Sequence, residues 1–489
     1  MEEKIMALLK RETPANLPVK VLQFGEGNFL RAFIDWMINE MNKQNKFNGM
    51  VRLIQPLEKG MGEMINAQDG LYTLILRGIE NGKVVENREI IQSVKDCLNP
   101  YHQWNETIAA FCEDSVRFVF SNTTEAGIEY KEEPYTPGAC QNTYPAKVTA
   151  LLYERFKAGK KGLIFIPCEL IDKNGANLRE CILKYIKLWE LPAEYAKWVQ
   201  EENLFVNTLV DRIVAGYPRT EAKDLEKEFG YEDNLIDCGE IFHFFVIEGP
   251  QALADELPLK EAGLHVVITD NQTPYRTRKV RFLNGAHTAN VLAASLGGLT
   301  FVDEMMKDPV FGKVIRKSVN DEIFHTVNLP EEEKRFFADS VIERFENPFA
   351  MHRLLSISLN SVSKWKVRVL PSLCDYVAMK KELPQCLAFS LAALIRFYML
   401  ELKDGAATGT ADNGSYPVSD SPDVLEFFAA QTTAYKADKN AAAMIRNILA
   451  NTSFWEMDLN SIPGMTDFVT EKFEMIEAQG IRAAAESIL

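Results

Sequence analysis

Val19-Lys-Val-Leu-Gln-Phe24, a short β-prone run, passes directly into Gly25-Glu-Gly27 and then into a helical pattern from about Asn28 to Asn42. A strand that turns through glycines into a helix is the opening unit of a parallel α/β sheet, because such a sheet needs a crossover after every strand. The alternation continues: Val51-Arg-Leu-Ile-Gln55, Arg117-Phe-Val-Phe-Ser121 and Gly162-Leu-Ile-Phe-Ile-Pro167 read as buried strands, and His265-Val-Val-Ile-Thr269 as the last of this half. Leu71 to Leu76 and the segment after Asn81-Gly82 read as a hairpin, since Asn-Gly suits a two-residue turn. From about Lys279 the character changes. Leu292–Leu296, Phe336–Phe345, Leu387–Leu402 and Val424–Tyr435 are helical in period or continuously apolar. The expected fold class is α/β: a mainly parallel sheet domain at residues 1–275, then a mostly α-helical domain at 276–489. Asp404–Asp423, rich in Gly, Ala, Thr, Ser, Asp and Pro, reads as a loop in the second domain.

A chain of 489 residues is too long for one core, which agrees with that division. Its net charge of -15 argues against nucleic acid or an anionic membrane as partner, because both select basic surfaces. A small anionic substrate stays compatible, since a local basic pocket can sit in an acidic protein. No apolar run approaches the roughly 20 residues that span a bilayer, and Met1-Glu-Glu-Lys-Ile lacks a secretory pattern. The eight cysteines are scattered without a Cys-x-x-Cys pair, and the six histidines without a His-x-x-x-His pair. A cytoplasmic protein without a bound metal is expected; the sequence is silent on oligomeric state.

Placed between strand and helix, Gly25 and Gly27 fit a Rossmann-type dinucleotide turn. The first permits the tight bend, and the second lets the backbone approach a pyrophosphate resting on the helix N-terminus. The expected cofactor-binding segment comprises Phe24, Gly25, Glu26, Gly27, Asn28, Phe29 and Arg31. Leu30 replaces the usual third glycine, so closer packing of this helix on its strand is not expected. Glu58, after the second strand, is the candidate to accept hydrogen bonds from the ribose hydroxyls and repel a 2′-phosphate, favouring NAD; the alternative is a surface loop glutamate. Ser121, Asn122 and Thr123, opening the run to Glu125 and Gly127 at another strand end, are candidates to line the nicotinamide ribose or the substrate mouth.

Lys279-Val-Arg-Phe-Leu-Asn284-Gly-Ala-His287 combines an amine, an amide and an imidazole on one helical stretch. At about 100° per residue, Asn284 and His287 lie about 60° apart, and Lys279 falls on the same broad face. The amine can move a proton to or from a carbonyl oxygen while the amide and imidazole hold that oxygen and its neighbouring hydroxyl, without metal. The bland alternative is a helix start with a solvated lysine and a hydrogen-bonded histidine.

Together, Gln23-Phe-Gly-Glu-Gly-Asn-Phe-Leu-Arg-Ala-Phe33, Thr208-Leu-Val-Asp-Arg-Ile-Val214 and Leu283-Asn-Gly-Ala-His-Thr288, with Lys279, resemble the mannitol dehydrogenase family of long-chain polyol-specific dehydrogenases. That resemblance implies a Rossmann-type cofactor domain, a helical substrate domain, NAD as cofactor and zinc-independent hydride transfer. It implies Lys279 as general acid/base, Asn284 in the oxyanion site, His287 as substrate orienter, and Asp211 near the active site; pairing of Asp211 with Arg212 is the alternative. Two positions depart from the family pattern. Arg276 stands where an acidic residue precedes the lysine, and Cys168-Glu169-Leu170 lacks the Asn of a second oxyanion donor, for which Asn174 is the nearest substitute. The departures point to a different substrate branch, and the resemblance implies one that reduces a keto-uronate to an aldonate, here D-tagaturonate to D-altronate in hexuronate catabolism. Such a substrate needs a cation for its carboxylate. Lys364, Lys366 and Arg368 supply three, with Lys364 favoured because it resembles the family's substrate-binding arginine position. Rival readings are fructuronate or mannitol as substrate, and a non-catalytic nucleotide-sensing protein.

Overall fold

Six short strands pair side by side, all parallel: Val19–Phe24 (β1), Met50–Ile54 (β2), Val94–Leu98 (β3), Phe118–Ser121 (β4), Ile164–Pro167 (β5) and Leu204–Phe205 (β6). In the computed structural model, which describes residues 6–124, 126–411 and 414–489, their order is β3-β2-β1-β4-β5-β6. Strand order reverses between β1 and β4, whose register runs from Val21 opposite Phe118 to Phe24 opposite Ser121. A crevice opens at the carboxyl ends of strands at such a reversal. Side-chain alternation explains why both faces are covered. Val21, Leu53, Phe120 and Ile166 enter one core with the helical run after β1, whereas Leu22, Ile54, Val119 and Phe165 enter the other with helix Tyr144–Lys157.

The chain separates into two compact units, residues 1–78 with 84–272, and 79–83 with 273–489. The boundary lies between Gln272 and Thr273, and the tip of the Asn-Gly hairpin clusters with the second unit. Strands Tyr72–Glu80 and Lys83–Ile91 form that hairpin, with Asn81 and Gly82 at φ 52° and 71° as its turn requires. The first unit also holds the three-stranded sheet of Val266–Thr269, Phe244–Glu248 and Asn207–Asp211. Sequence reading overlooked β3. It is an edge strand whose Asp96 pairs with Arg52 of β2 at 2.7 and 2.9 Å, so its charges are partnered sideways and disguise the apolar pattern.

In the second unit, Ala286–Leu296 packs on Gln385–Phe397, which packs on Met465–Gln479. The first two helices are buried on nearly every face, which accounts for their continuously apolar sequences. One expectation fails here. Asp404–Asp423 is not a loop throughout: Leu400–Lys403, Ala406–Ala411 and Gly414–Pro417 form an antiparallel sheet. Its buried face is built from Ala407, Gly409 and Tyr416, the last stacked on Phe397 at 4.5 Å. Small residues carry the alternation, so hydropathy could not reveal it. None of the described helices is long and apolar enough to cross a membrane.

Candidate active site

At the carboxyl ends of β1, β2 and β4 lies a cavity of about 470 Å³. Its walls include Gly25, Glu26 and Gly27 after β1, Pro56, Leu57 and Lys59 after β2, and Asn122, Thr123 and Thr124 after β4. Gly25 has φ +117°, and a Cβ there would stand 2.8 Å from the Asn122 carbonyl oxygen. Gly27 caps the following helix and faces open space, with nothing within 4 Å of an added Cβ. One glycine makes the bend and the other leaves the helix N-terminus bare, so the turn fits a dinucleotide pyrophosphate. Leu30 is buried where a third glycine is usual, and directly after it the helix widens into a π turn at Arg31–Asp35.

The loop after β4 is held by a residue that sequence reading noticed only as a departure. Glu169 is buried, and its carboxylate accepts from Ser121 Oγ at 3.0 Å and from both Thr123 N and Thr123 Oγ1 at 2.9 Å. Burial raises its pKa, and these donors oppose the rise. Asn122 Nδ2 donates to the Cys168 carbonyl at 2.7 Å, tying the same loop to the end of β5. Glu125 lies outside the described residues.

Several candidates turn away from the cavity. Phe24 is core, packed 4.9 Å from the Tyr144 ring, and Phe29 stacks on Phe33. Arg31 is buried and donates to the Leu235 carbonyl at 2.7 Å and to Asn28 Oδ1 at 2.6 Å, which brings Asn28 into the same brace. The motif therefore braces the helix through Asn28, Phe29 and Arg31, packs Phe24 into the core on the sheet's other face, and lines the cavity with Gly25, Glu26 and Gly27. Glu58 is exposed and is not among the cavity-lining residues, whereas its neighbour Lys59 is. Glu26 instead meets the loop after β2, its Oε1 accepting from Met61 N at 3.3 Å. Asn174 is corrected outright. Its Nδ2 donates to the Pro167 and Glu169 carbonyls and to Thr208 Oγ1, while its Oδ1 accepts from Gly175 N and Thr208 N. No capacity is left for a substrate oxygen, so it clamps β5 to the strand at 207–211. Asp211 is buried on that strand. Arg212 donates to the carbonyls of Ala32, Ile241 and Phe242 and lies 4.0 Å from the centroid of Trp36.

Replacing Gly25 by Ala is expected to strain the bend by about 1–3 kcal/mol and push Asn122 away. Fluorescence titration should show NADH bound at least about tenfold more weakly, with a lower Tm. Unchanged affinity would remove this turn from the cofactor site.

Within the second unit, helix Thr273–Lys279 runs into a π turn at Val280–Gly285 and on into Ala286–Leu296. The extra residue of a π turn rotates every later side chain about the helix axis, so spacing drawn on a uniform α-helix does not carry across it. Lys279 and Asn284 are half-buried, and His287 is buried. The Asn284 carbonyl accepts from Thr288 Oγ1 at 2.8 Å, while its side-chain amide bonds to none of the described residues. His287 stacks on Phe345 at 4.0 Å with His352 edge-on at 5.5 Å, and its Nε2 has no hydrogen-bond partner. Burial, then His352, Arg344 and Arg368, hold its pKa well below 6.5, so the ring is neutral. An unsatisfied buried nitrogen is costly unless a ligand or water meets it. Arg344, Phe345 and His352 come from a distant stretch, and no spacing in the sequence announces them.

Helix Ser361–Arg368 closes on this π turn; a Cβ on Gly285 would stand 2.8 Å from the Arg368 carbonyl. The three cations on the helix part company. Lys366 pairs with the exposed Glu456 at 2.6 Å, so an anion there would compete with an existing partner. Lys364 donates to the Ile357 carbonyl at 2.9 Å. Arg368 is half-buried and near enough to depress the pKa of both His287 and Lys364.

Comparison with known proteins agrees with both units. The mannitol dehydrogenase Rossmann domain matches residues 19–261, and the mannitol dehydrogenase C-terminal domain matches residues 271–477. An altronate oxidoreductase of Yersinia pestis is 42% identical over 487 residues, covering 98% of this chain and 99% of that protein. Among solved structures, substrate-free D-sorbitol dehydrogenase superposes with TM-score 0.78 at 22% identity, covering 98% of this chain and all (100%) of that one. Pseudomonas fluorescens mannitol 2-dehydrogenase, in complex with NAD and D-mannitol, superposes with TM-score 0.65 at 21% identity over 99% and 96% of the two chains.

Proposed function

Since the chain belongs to the mannitol dehydrogenase family, we propose that it interconverts D-tagaturonate and D-altronate by NAD-dependent hydride transfer. The observation that carries the reading is the helical run in which Lys279 is followed by an uncommitted Asn284 amide and an unpartnered neutral His287. The sugar is supported by the near-full-length likeness to altronate oxidoreductases.

When bound, the nicotinamide supplies the hydride for the keto carbon. Lys279, as the ammonium, protonates the alkoxide oxygen that develops, and in the reverse direction the free amine takes the hydroxyl proton. The Asn284 amide donates to that oxygen, stabilising charge that grows toward the transition state. His287, kept neutral by burial and cationic neighbours, can donate from one ring nitrogen and accept at the other, which suits a substrate hydroxyl beside the carbonyl. NADH is proposed over NADPH because Glu26 lines the cavity and meets the loop after β2, where a 2′-phosphate would face its carboxylate.

A panel of tagaturonate, fructuronate and fructose, each with NADH and with NADPH, tests this directly. Loss of reduced-cofactor absorbance should be fastest with tagaturonate and NADH. Faster reduction of fructuronate would move the assignment to mannonate, and faster reduction of fructose to mannitol. No turnover on any ketose, with NADH still bound, would favour the nucleotide-sensing reading.

A further inference from the structure

We propose that Arg368 is the anchor that selects a terminal carboxylate on the substrate; the inference rests on the keto-uronate reading above. The three cations of helix Ser361–Arg368 differ in what they already hold. Lys366 is paired with Glu456, and Lys364 is bonded to the Ile357 carbonyl with Asp420 offsetting part of its charge. Arg368 is half-buried, and among the described residues its guanidinium has no carboxylate or carbonyl acceptor. Its guanidinium is partly desolvated yet still reachable from solvent, and such a cation without an internal acceptor gains more from an arriving anion than one fully in water. A guanidinium is also the better match, because its rigid fork meets both oxygens of a carboxylate, whereas an ammonium is a point charge.

Position supports the same residue. The Arg368 backbone touches Gly285, which lies between Asn284 and His287 in sequence, and its charge acts on the buried His287 ring. In a keto-uronate such as tagaturonate the reacting carbonyl lies near one end of the chain and the carboxylate ends the other. An anchor on a different element from the helical run that bears Asn284 and His287 suits that separation. A neutral ketose has nothing to offer Arg368.

Arg368→Met and Arg368→Lys are compared with the parent enzyme in two measurements: calorimetric binding of D-altronate to the enzyme–NADH complex, and NADH-linked kinetics on tagaturonate, fructuronate and neutral fructose. For Arg368→Met, altronate binding and kcat/KM on the uronates should each fall roughly ten- to a hundredfold, as for loss of a charge-assisted bond. The loss should appear mainly in KM, kcat/KM on fructose should stay within a few-fold, and Arg368→Lys should recover part of the loss. Equal losses on uronates and fructose, or parent-like altronate binding by Arg368→Met, would overturn the anchor. If the parent binds altronate yet reduces fructuronate in preference, the tagaturonate assignment fails and the anchor stands, since both acids end in a carboxylate. A parent that binds no sugar acid overturns both.

Discussion

Replacing Lys279 by Ala should lower tagaturonate turnover by at least about a hundredfold and up to about ten-thousandfold, the range for loss of a positioned proton donor. NADH affinity should be nearly unchanged, because the Gly25 turn and the cavity beside it are built from other residues. A small primary amine added to Lys279→Ala should restore part of the rate if the missing function is proton transfer. Lys279→Arg should stay slow, since a guanidinium holds the charge without releasing a proton. Near-parental turnover by Lys279→Ala would remove this residue from the chemistry and leave the family resemblance without its acid/base group.

The second large effect is expected at Asn284. Removing one oxyanion donor costs about a hundred- to a thousandfold in kcat, because the bond strengthens only as charge develops. Asn284→Ala should therefore lower kcat with little change in KM. Asn284→Asp should be slower still, since a carboxylate would face the developing alkoxide. Its π-turn position makes the comparison informative: the side-chain amide has no bond to the described residues that either change would break. A raised KM with intact kcat would mean that Asn284 holds the ground-state substrate alone.

The candidate site divides into what local chemistry announces and what packing decides. Gly25 and Gly27 were legible because a tight bend and a bare helix N-terminus admit few residue types. Lys279, Asn284 and His287 were legible because their side chains carry the chemistry on one short segment. Phe24, Asn28, Phe29 and Arg31 sit in the same motif, yet the fold uses the last three to brace the helix and buries Phe24 in the core on the sheet's other face. A motif records which residues stand together, not which way each points.

Sequence alone determined the α/β half, the helical half and the residues able to do proton and oxyanion chemistry, because hydrophobic period and functional-group type are local properties. Tertiary structure decided the partners. It spent Asn174 on five hydrogen bonds, gave Lys366 to Glu456, left Glu58 exposed, and brought Phe345 and Arg368 to His287. Availability of a polar group depends on neighbours far along the chain, and only the folded backbone chooses them.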